Sequence, residues 1–317
     1  MPDHERLKRL KARADRALGG APVKDAVAKV RAIIGPPDIP DSEPLAQAAL
    51  EALRNGEVPS NEELVALEIV IRLLRPVVLC QSNTLAVLPT KNGHNLCPPE
   101  VRQLWDGFRG TVAPVIPSVG RVEKVKGARH IGTGFLVRDG LLATNRHVLG
   151  ALTFGAEVLG PGTAQVTFKL EAGETFGAQD RVPIEGVAAI HPTLDMVLLR
   201  VPQTGRTPVQ VGSVSAAEGT RVVVLGHPAS DAANNPLFLT QVFPGPMGVK
   251  RASLGEVLDG STSPSMYHDC STTQGSSGSP IFDLASGQVI GLHRSGFFMY
   301  RNEAVDADNL RQFIAAH

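Results

Sequence analysis

The run Ser271-Thr272-Thr273-Gln274-Gly275-Ser276-Ser277-Gly278-Ser279-Pro280 sets a serine among glycines, just ahead of the apolar pair Ile281-Phe282 and the stretch Val289-Ile290-Gly291-Leu292-His293. A serine held in a tight loop between two strands exposes its hydroxyl, and flanking glycines let the backbone turn its N–H groups inward toward a carbonyl. That arrangement suits acyl transfer, with Ser277 as nucleophile and the N–H groups of Gly275 and Ser277 as an oxyanion hole. Taken alone, the run also reads as a Gly/Ser-rich surface turn.

Two other places upstream bear on the choice. Gly132-Thr133-Gly134-Phe135-Leu136-Val137, a turn at Asp139-Gly140, and Leu141-Leu142-Ala143-Thr144-Asn145-Arg146-His147-Val148 read as a β-hairpin that delivers His147 at the end of its second strand. His191-Pro192-Thr193-Leu194-Asp195-Met196-Val197-Leu198-Leu199-Arg200-Val201 places Asp195 at the mouth of an apolar strand. A carboxylate there needs a hydrogen-bond partner, and an imidazole N–H supplies one.

Together these blocks resemble the trypsin-like (chymotrypsin-fold) serine peptidases, whose functional residues run His, Asp, Ser along the chain. The resemblance covers residue 118 to the end. It implies an all-β double six-stranded barrel over 118–317, with His147 as general base, Asp195 as orienting acid and Ser277 as nucleophile. Ser276 stands where animal trypsins carry the aspartate of their activation switch, and no Ile-Val-Gly-Gly-type start opens the domain, so that switch is not expected. Arg294 stands where trypsins carry a serine supporting the catalytic acid. Six residues before the nucleophile trypsins carry an aspartate that selects Lys or Arg, and here Ser271 replaces it. The nucleophile loop is similar to that of bacterial glutamyl endopeptidases, which implies Thr272 and His293 as P1-binding residues and an acidic or small polar P1 residue. Arg294, Ser295 and Gly296 are expected to pair with the backbone of an extended peptide.

Residues 1–117 read as a mostly α-helical N-terminal region. The stretch from residue 1 to about 31 carries Leu7, Leu10, Ala14, Ala17 and Leu18 on one face of a basic amphipathic helix. Pro36-Pro37-Asp38-Ile39-Pro40 breaks it, Asp41-Ser42-Glu43-Pro44 caps a short helix through Leu53, and Ser60-Asn61-Glu62-Glu63 is a capping box for a helix from Glu62 to Arg75. Leu64, Val65, Leu67, Ile69, Val70, Ile71, Leu73 and Leu74 cover most of that helix, so it must be buried. A last short helix is expected from Pro98 to Phe108. This region carries no chemistry of its own; an inhibitory segment, a partner-binding module and a stabilising helical wall all fit it.

The 317 residues carry 31 basic and 31 acidic side chains, a balance that gives no sign of a polyanionic partner such as nucleic acid or of an anionic membrane surface, and neither is expected. No phosphate loop and no clustered metal ligands are present, so no cofactor and no metal are expected. The charged N-terminus lacks a signal-like apolar segment, and no run approaches a membrane span. Only Cys80, Cys97 and Cys270 occur. Disulfide-poor composition in this family implies a cytoplasmic location. The resulting expectation is a serine endopeptidase acting on protein or peptide substrates, with a regulatory protein reached through the helical region as a further partner class. A non-catalytic protease-like adaptor that binds extended peptides is the competing reading from another class.

Overall fold

The computed structural model describes residues 4–35, 42–91, 94–177, 180–213, 216–232, 234, 236–297 and 301–317. The proline-rich break at 36–40 and the cap at Asp41 lie outside them. The helices, in chain order, are α1 (His4–Leu18), α2 (Val23–Ile33), α3 (Ser42–Asn55), α4 (Asn61–Leu73), α5 (Pro99–Val112), α6 (Arg146–Thr153), α7 (Pro236–Val242) and α8 (Ala307–Ala315). The first strands are β1 (Val77–Gln81), β2 (Thr84–Leu85), β3 (Thr90–Lys91) and β4 (His94–Asn95). Then come β5 (Val119–Lys124), β6 (Arg129–Arg138), β7 (Leu141–Thr144), β8 (Ala164–Thr167), β9 (Arg181–Pro183), β10 (Gly186–Ile190) and β11 (Val197–Arg200). The last are β12 (Arg221–Gly226), β13 (Arg251–Asp259), β14 (Ser265–His268), β15 (Pro280–Asp283), β16 (Val289–Phe297) and β17 (Arg301–Asp306).

The chain divides into two compact units. One comprises Met1–Val77, Val87–Trp105 and Ala232–Gly245. It is helical, and the single N-terminal helix expected through residue 31 is two helices, because Gly19 and Gly20 both adopt positive φ between α1 and α2. The capping box of α4 is formed: Ser60 accepts from the Glu63 N–H at 3.3 Å, and Glu63 accepts from the Ser60 N–H at 2.7 Å. Ala66 to Leu73 are all buried, as the all-round apolar pattern requires. Glu68, within that buried face, pairs with Arg72 at 2.7 Å and with Arg13 of α1.

The other unit comprises Val78–Ala86, Asp106–Asp231 and Pro246–His317, and it holds both large sheets. A seven-stranded antiparallel sheet runs β10-β11-β7-β6-β5-β8-β9. Its two edge strands are consecutive in the chain. Between them the Ile184 N–H reaches Ala164 O at 3.0 Å and the Glu185 N–H reaches Arg200 O at 2.8 Å, so the sheet curls round on itself. Leu136, Leu142, Leu149, Val166, Phe168, Val197 and Leu199 fill its interior. In the second sheet β12-β15-β16-β17-β14-β13 close into a six-stranded barrel through the β12–β13 pairing, around Val222, Val224, Val257, Met266, Ile281 and Ile290. This is the double-barrel trypsin fold.

The barrel sheet extends beyond β13 to β1 and β2, so the segment Val78–Ala86 belongs with strands that follow it by many residues. The Cys80 N–H donates to Lys250 O at 3.1 Å, and Cys80 O accepts from the Ala172 N–H at 3.0 Å. Beneath lies a buried ion pair. Lys250 Nζ reaches Glu171 at 3.0 Å and the carbonyls of Phe168 (2.8 Å) and Ile116 (3.1 Å), while the other Glu171 oxygen accepts from the Asn83 N–H at 2.7 Å. All three cysteines are buried and none is in a disulfide. Among the described residues no helix is long and apolar enough to cross a membrane.

Removing one member of a satisfied buried ion pair strands the other in a low-dielectric site. Lys250→Met is therefore expected to cost about 3–5 kcal/mol of stability in urea unfolding, far more than a surface lysine change.

Candidate active site

His147 is the second residue of α6 rather than the end of a strand: β7 stops at Thr144, and Asn145 is the N-cap of the helix. The hairpin of β6 and β7 with its Asp139-Gly140 turn is present, so the imidazole is placed by a strand-to-helix junction. Asp195 lies in the turn just before β11, beside β7 in the same sheet. One carboxylate oxygen accepts from the His147 backbone N–H at 2.9 Å, and the other meets His147 Nδ1 at 2.7 Å. This two-point contact fixes both the ring and the backbone that carries it.

Supporting groups hold the turn. Asn145 Nδ2 donates to Asp195 O at 2.9 Å. His191 Nδ1 accepts from the N–H groups of Leu194 (2.8 Å) and Thr193 (3.2 Å). Burial alone would raise the Asp195 carboxyl, but the hydrogen bonds and charge of His147, with the charge of Arg294, hold it below its ordinary value. The carboxylate is thus kept ionised beside the ring.

The nucleophile loop joins Cys270 to β15. A 3.1 Å bond from Ser276 N–H to Thr273 O and a 3.0 Å bond from Ser279 N–H to Ser276 O coil it tightly. Ser276 and Ser279 are buried, whereas Ser277 between them is part-exposed. Gly275 and Gly278 both adopt φ of 85°. A Cβ on Gly278 would lie 2.0 Å from Thr133 O, and one on Gly275 would lie 2.3 Å from the His130 ring, so neither position admits a side chain. Thr133 of β6 grips the loop twice: its N–H donates to Ser277 O at 2.8 Å and its hydroxyl to Gly275 O at 2.8 Å. Its own carbonyl accepts from the Thr144 hydroxyl at 2.7 Å. Among the described residues, the N–H groups of Gly275 and Ser277 have no protein acceptor.

The Ser277 hydroxyl donates to Arg294 O at 3.3 Å and makes no hydrogen bond with His147. Arg294 follows His293 on β16, and from here on the strand pairs only with β17, leaving the other edge of Arg294, Ser295 and Gly296 unpaired. Ser295 and Gly296 are exposed. The Arg294 guanidinium is engaged by Glu303 at 2.8 Å and Ser265 at 3.3 Å. Thr272 donates its hydroxyl to Asn302 Oδ1 at 3.0 Å, and Ser271 Oγ is buried without a partner. Among the described residues no His/Cys/Asp/Glu group suits a metal ion.

Three further histidines are enclosed near these elements. Burial, then the charge of Arg121, pushes His130 down to about 4; burial, then His147, pushes His293 down to about 3; and burial drives His227 well below its ordinary value. The unfolded chain protonates its imidazoles near pH 6.5, whereas the folded chain resists until much lower pH. Their stabilising contribution is therefore complete above pH 6.5 and is lost as pH falls toward the folded values. Urea unfolding is expected to show stability falling by up to about 1.4 kcal/mol per pH unit per histidine below pH 6.5, with a shallower slope in His130→Gln.

A sequence profile described as the trypsin-like peptidase domain matches residues 132–292, about half of the chain and the stretch that contains His147, Asp195 and Ser277. No curated protein matches the chain. Among solved structures, the chain is similar to the inactive form of the Rv3671c protease (21% identity, TM-score 0.44, 65% of this chain and 92% of that one). It is also similar to the active form of Rv3671c from M. tuberculosis (23%, 0.44, 64% and 82%) and to a serine endoprotease from Yersinia pestis (15%, 0.49, 66% and 65%). On the extent of the profile match, the chain belongs to the trypsin-like peptidase domain family.

Proposed function

We propose that the chain is a serine endopeptidase in which His147, Asp195 and Ser277 act as a triad on extended peptides. The observation that carries this is the two-point contact between Asp195 and His147 at 2.9 and 2.7 Å, in one site with a serine loop whose Gly275 and Ser277 N–H groups are unoccupied. Substrate would lie along the unpaired edge at Arg294 to Gly296. Rotation about its Cα–Cβ bond frees the Ser277 hydroxyl from Arg294 O. The oxygen then attacks the scissile carbonyl while its proton passes to His147 Nε2. Asp195 holds the Nδ1–H tautomer and stabilises the imidazolium. The carbonyl oxygen, now anionic, takes the two N–H donors, each of which is typically worth about 10²–10³ in rate. Collapse of the intermediate sends the proton from His147 to the departing amine, and water, deprotonated in turn by His147, releases the acyl group.

The P1 residue in this reading is acidic or small and polar, facing Thr272 and His293, with Ser271 in place of a basic-specific aspartate. Three buried cysteines, none in a disulfide, support a reducing, cytoplasmic setting, and the helical unit is the surface for a regulatory protein. One observation favours the competing adaptor reading: the Ser277 hydroxyl rests on Arg294 O and makes no hydrogen bond with His147.

A fluorophosphonate separates the two. The peptidase is modified at Ser277 and cleaves a casein or peptide substrate; Ser277→Ala is unlabelled, and its kcat falls by at least about 10⁴-fold, as does that of Asp195→Asn. An unlabelled wild-type chain that still binds extended peptides is the adaptor.

A further inference from the structure

A histidine closes the turn that carries Asp195. The His191 backbone N–H donates to Met196 O at 3.0 Å, while its Nδ1 lies 2.8 Å from the Leu194 N–H and 3.2 Å from the Thr193 N–H. A backbone N–H can only donate, so Nδ1 is the acceptor and the one proton of the neutral ring sits on Nε2. The turn therefore depends on a lone pair. On the other side Asn145 Nδ2 donates to Asp195 O at 2.9 Å, and the Met196 N–H closes on Leu194 O at 2.8 Å, so the backbone flanking the carboxylate is pinned from both directions.

The ring is itself held by α8. Phe313, 6% exposed, meets it edge to face, with centroids 5.2 Å apart and planes at 71°, and His317 packs on Phe313 in the same way at 5.1 Å. Arg138 of β6 fastens this helix by donating to Ile314 O. A rotamer that swung Nδ1 off the turn would forfeit the contact with Phe313.

A second proton reverses the chemistry of Nδ1. The acceptor becomes a donor facing two other donors, and both bonds are lost. Burial lowers the ring's affinity for that proton, and the two donated bonds, which only the unprotonated nitrogen can receive, act in the same direction. The charged and titratable groups around the ring, among the described residues, are Asp195 on the same turn, Arg146 and His147 of α6, and His317 of α8. None replaces Nδ1 as the acceptor: Arg146 only donates, here to Pro192 O at 3.4 Å, both Asp195 oxygens and the Nδ1 of His147 are spent on their mutual contact, and His317 Nδ1 faces Phe313 O at 3.0 Å. Resting on the peptidase reading, we infer that His191 is a positioning residue whose unprotonated Nδ1 locks the turn that sets Asp195 against His147, and that acidification releases the lock.

The test uses the full chain and two measurements. Nitrogen-15 NMR of the imidazoles near pH 8, with His191 assigned by its absence from His191→Asn, should show the Nε2–H tautomer; an Nδ1–H tautomer overturns the inference whatever the activity. The second is kcat/KM on a peptide substrate between about pH 5 and 8. The wild-type acid limb should be steeper than one proton allows, because His147 and His191 must both escape protonation. His191→Asn sets Oδ1 where Nδ1 stood, as in an Asx turn, and cannot be protonated; it should stay within about threefold of wild type near pH 8 and show a one-proton limb. His191→Phe keeps a ring against Phe313 without an acceptor, and its kcat should fall at least about tenfold, a loss that His191→Asn avoids. Full activity in His191→Phe, or a wild-type limb no steeper than that of His191→Asn, overturns the positioning role and leaves the peptidase reading standing. A wild-type chain that neither reacts with a fluorophosphonate nor cleaves peptide takes both down.

Discussion

The site depends on how one threonine of the first sheet holds a loop of the second. Thr133 offers its amide to Ser277 O and its hydroxyl to Gly275 O, two 2.8 Å bonds that straddle the coil of the nucleophile loop. The peptide planes that carry the N–H groups of Gly275 and Ser277 are set by the carbonyls of Gln274 and Ser276, which accept from the N–H groups of Ala229 (2.6 Å) and Ser279 (3.0 Å), and those two N–H groups have no protein acceptor among the described residues. Dipoles oriented in advance need no reorganisation when charge develops, which is the physical content of an oxyanion hole. The same strand leads through its hairpin to His147, so one piece of β-structure holds both the arm that carries His147 and the loop that carries Ser277.

Local sequence singled out His147, Asp195 and Ser277 because each stands beside a feature with a strong local signature. Glycines flank Ser277, a two-residue turn precedes the arm carrying His147, and an apolar strand follows Asp195. The supports were not legible. Thr133, Thr144, Asn145 and His191 find their partners through tertiary contacts, and a hydroxyl or amide in isolation carries no mark of the carbonyl it will meet. In the helical unit the capping box was readable from four residues, whereas the interruption at Gly19-Gly20 was masked by amphipathic spacing that continues on either side.

Burial of polar groups recurs around the site, with different degrees of satisfaction. Lys250 and Glu171 saturate each other and three backbone groups, so their enclosure is compensated. Among the described residues, Ser271 Oγ and both ring nitrogens of His227 are enclosed without partners. A buried polar atom without a partner costs stability, so these two residues are held in place by the packing around them.

The β1–β2 hairpin has its own bearing on how the chain is made. Cys80 must bond to Lys250, so a strand that leaves the ribosome early waits for a neighbour synthesised far later. Until then Val77, Val78 and Leu79 present an apolar, hydrogen-bond-hungry edge to whatever is nearby. Such long-range closure slows the search for the native topology, and it makes biogenesis sensitive to translation speed and to chaperones that shield nascent strands.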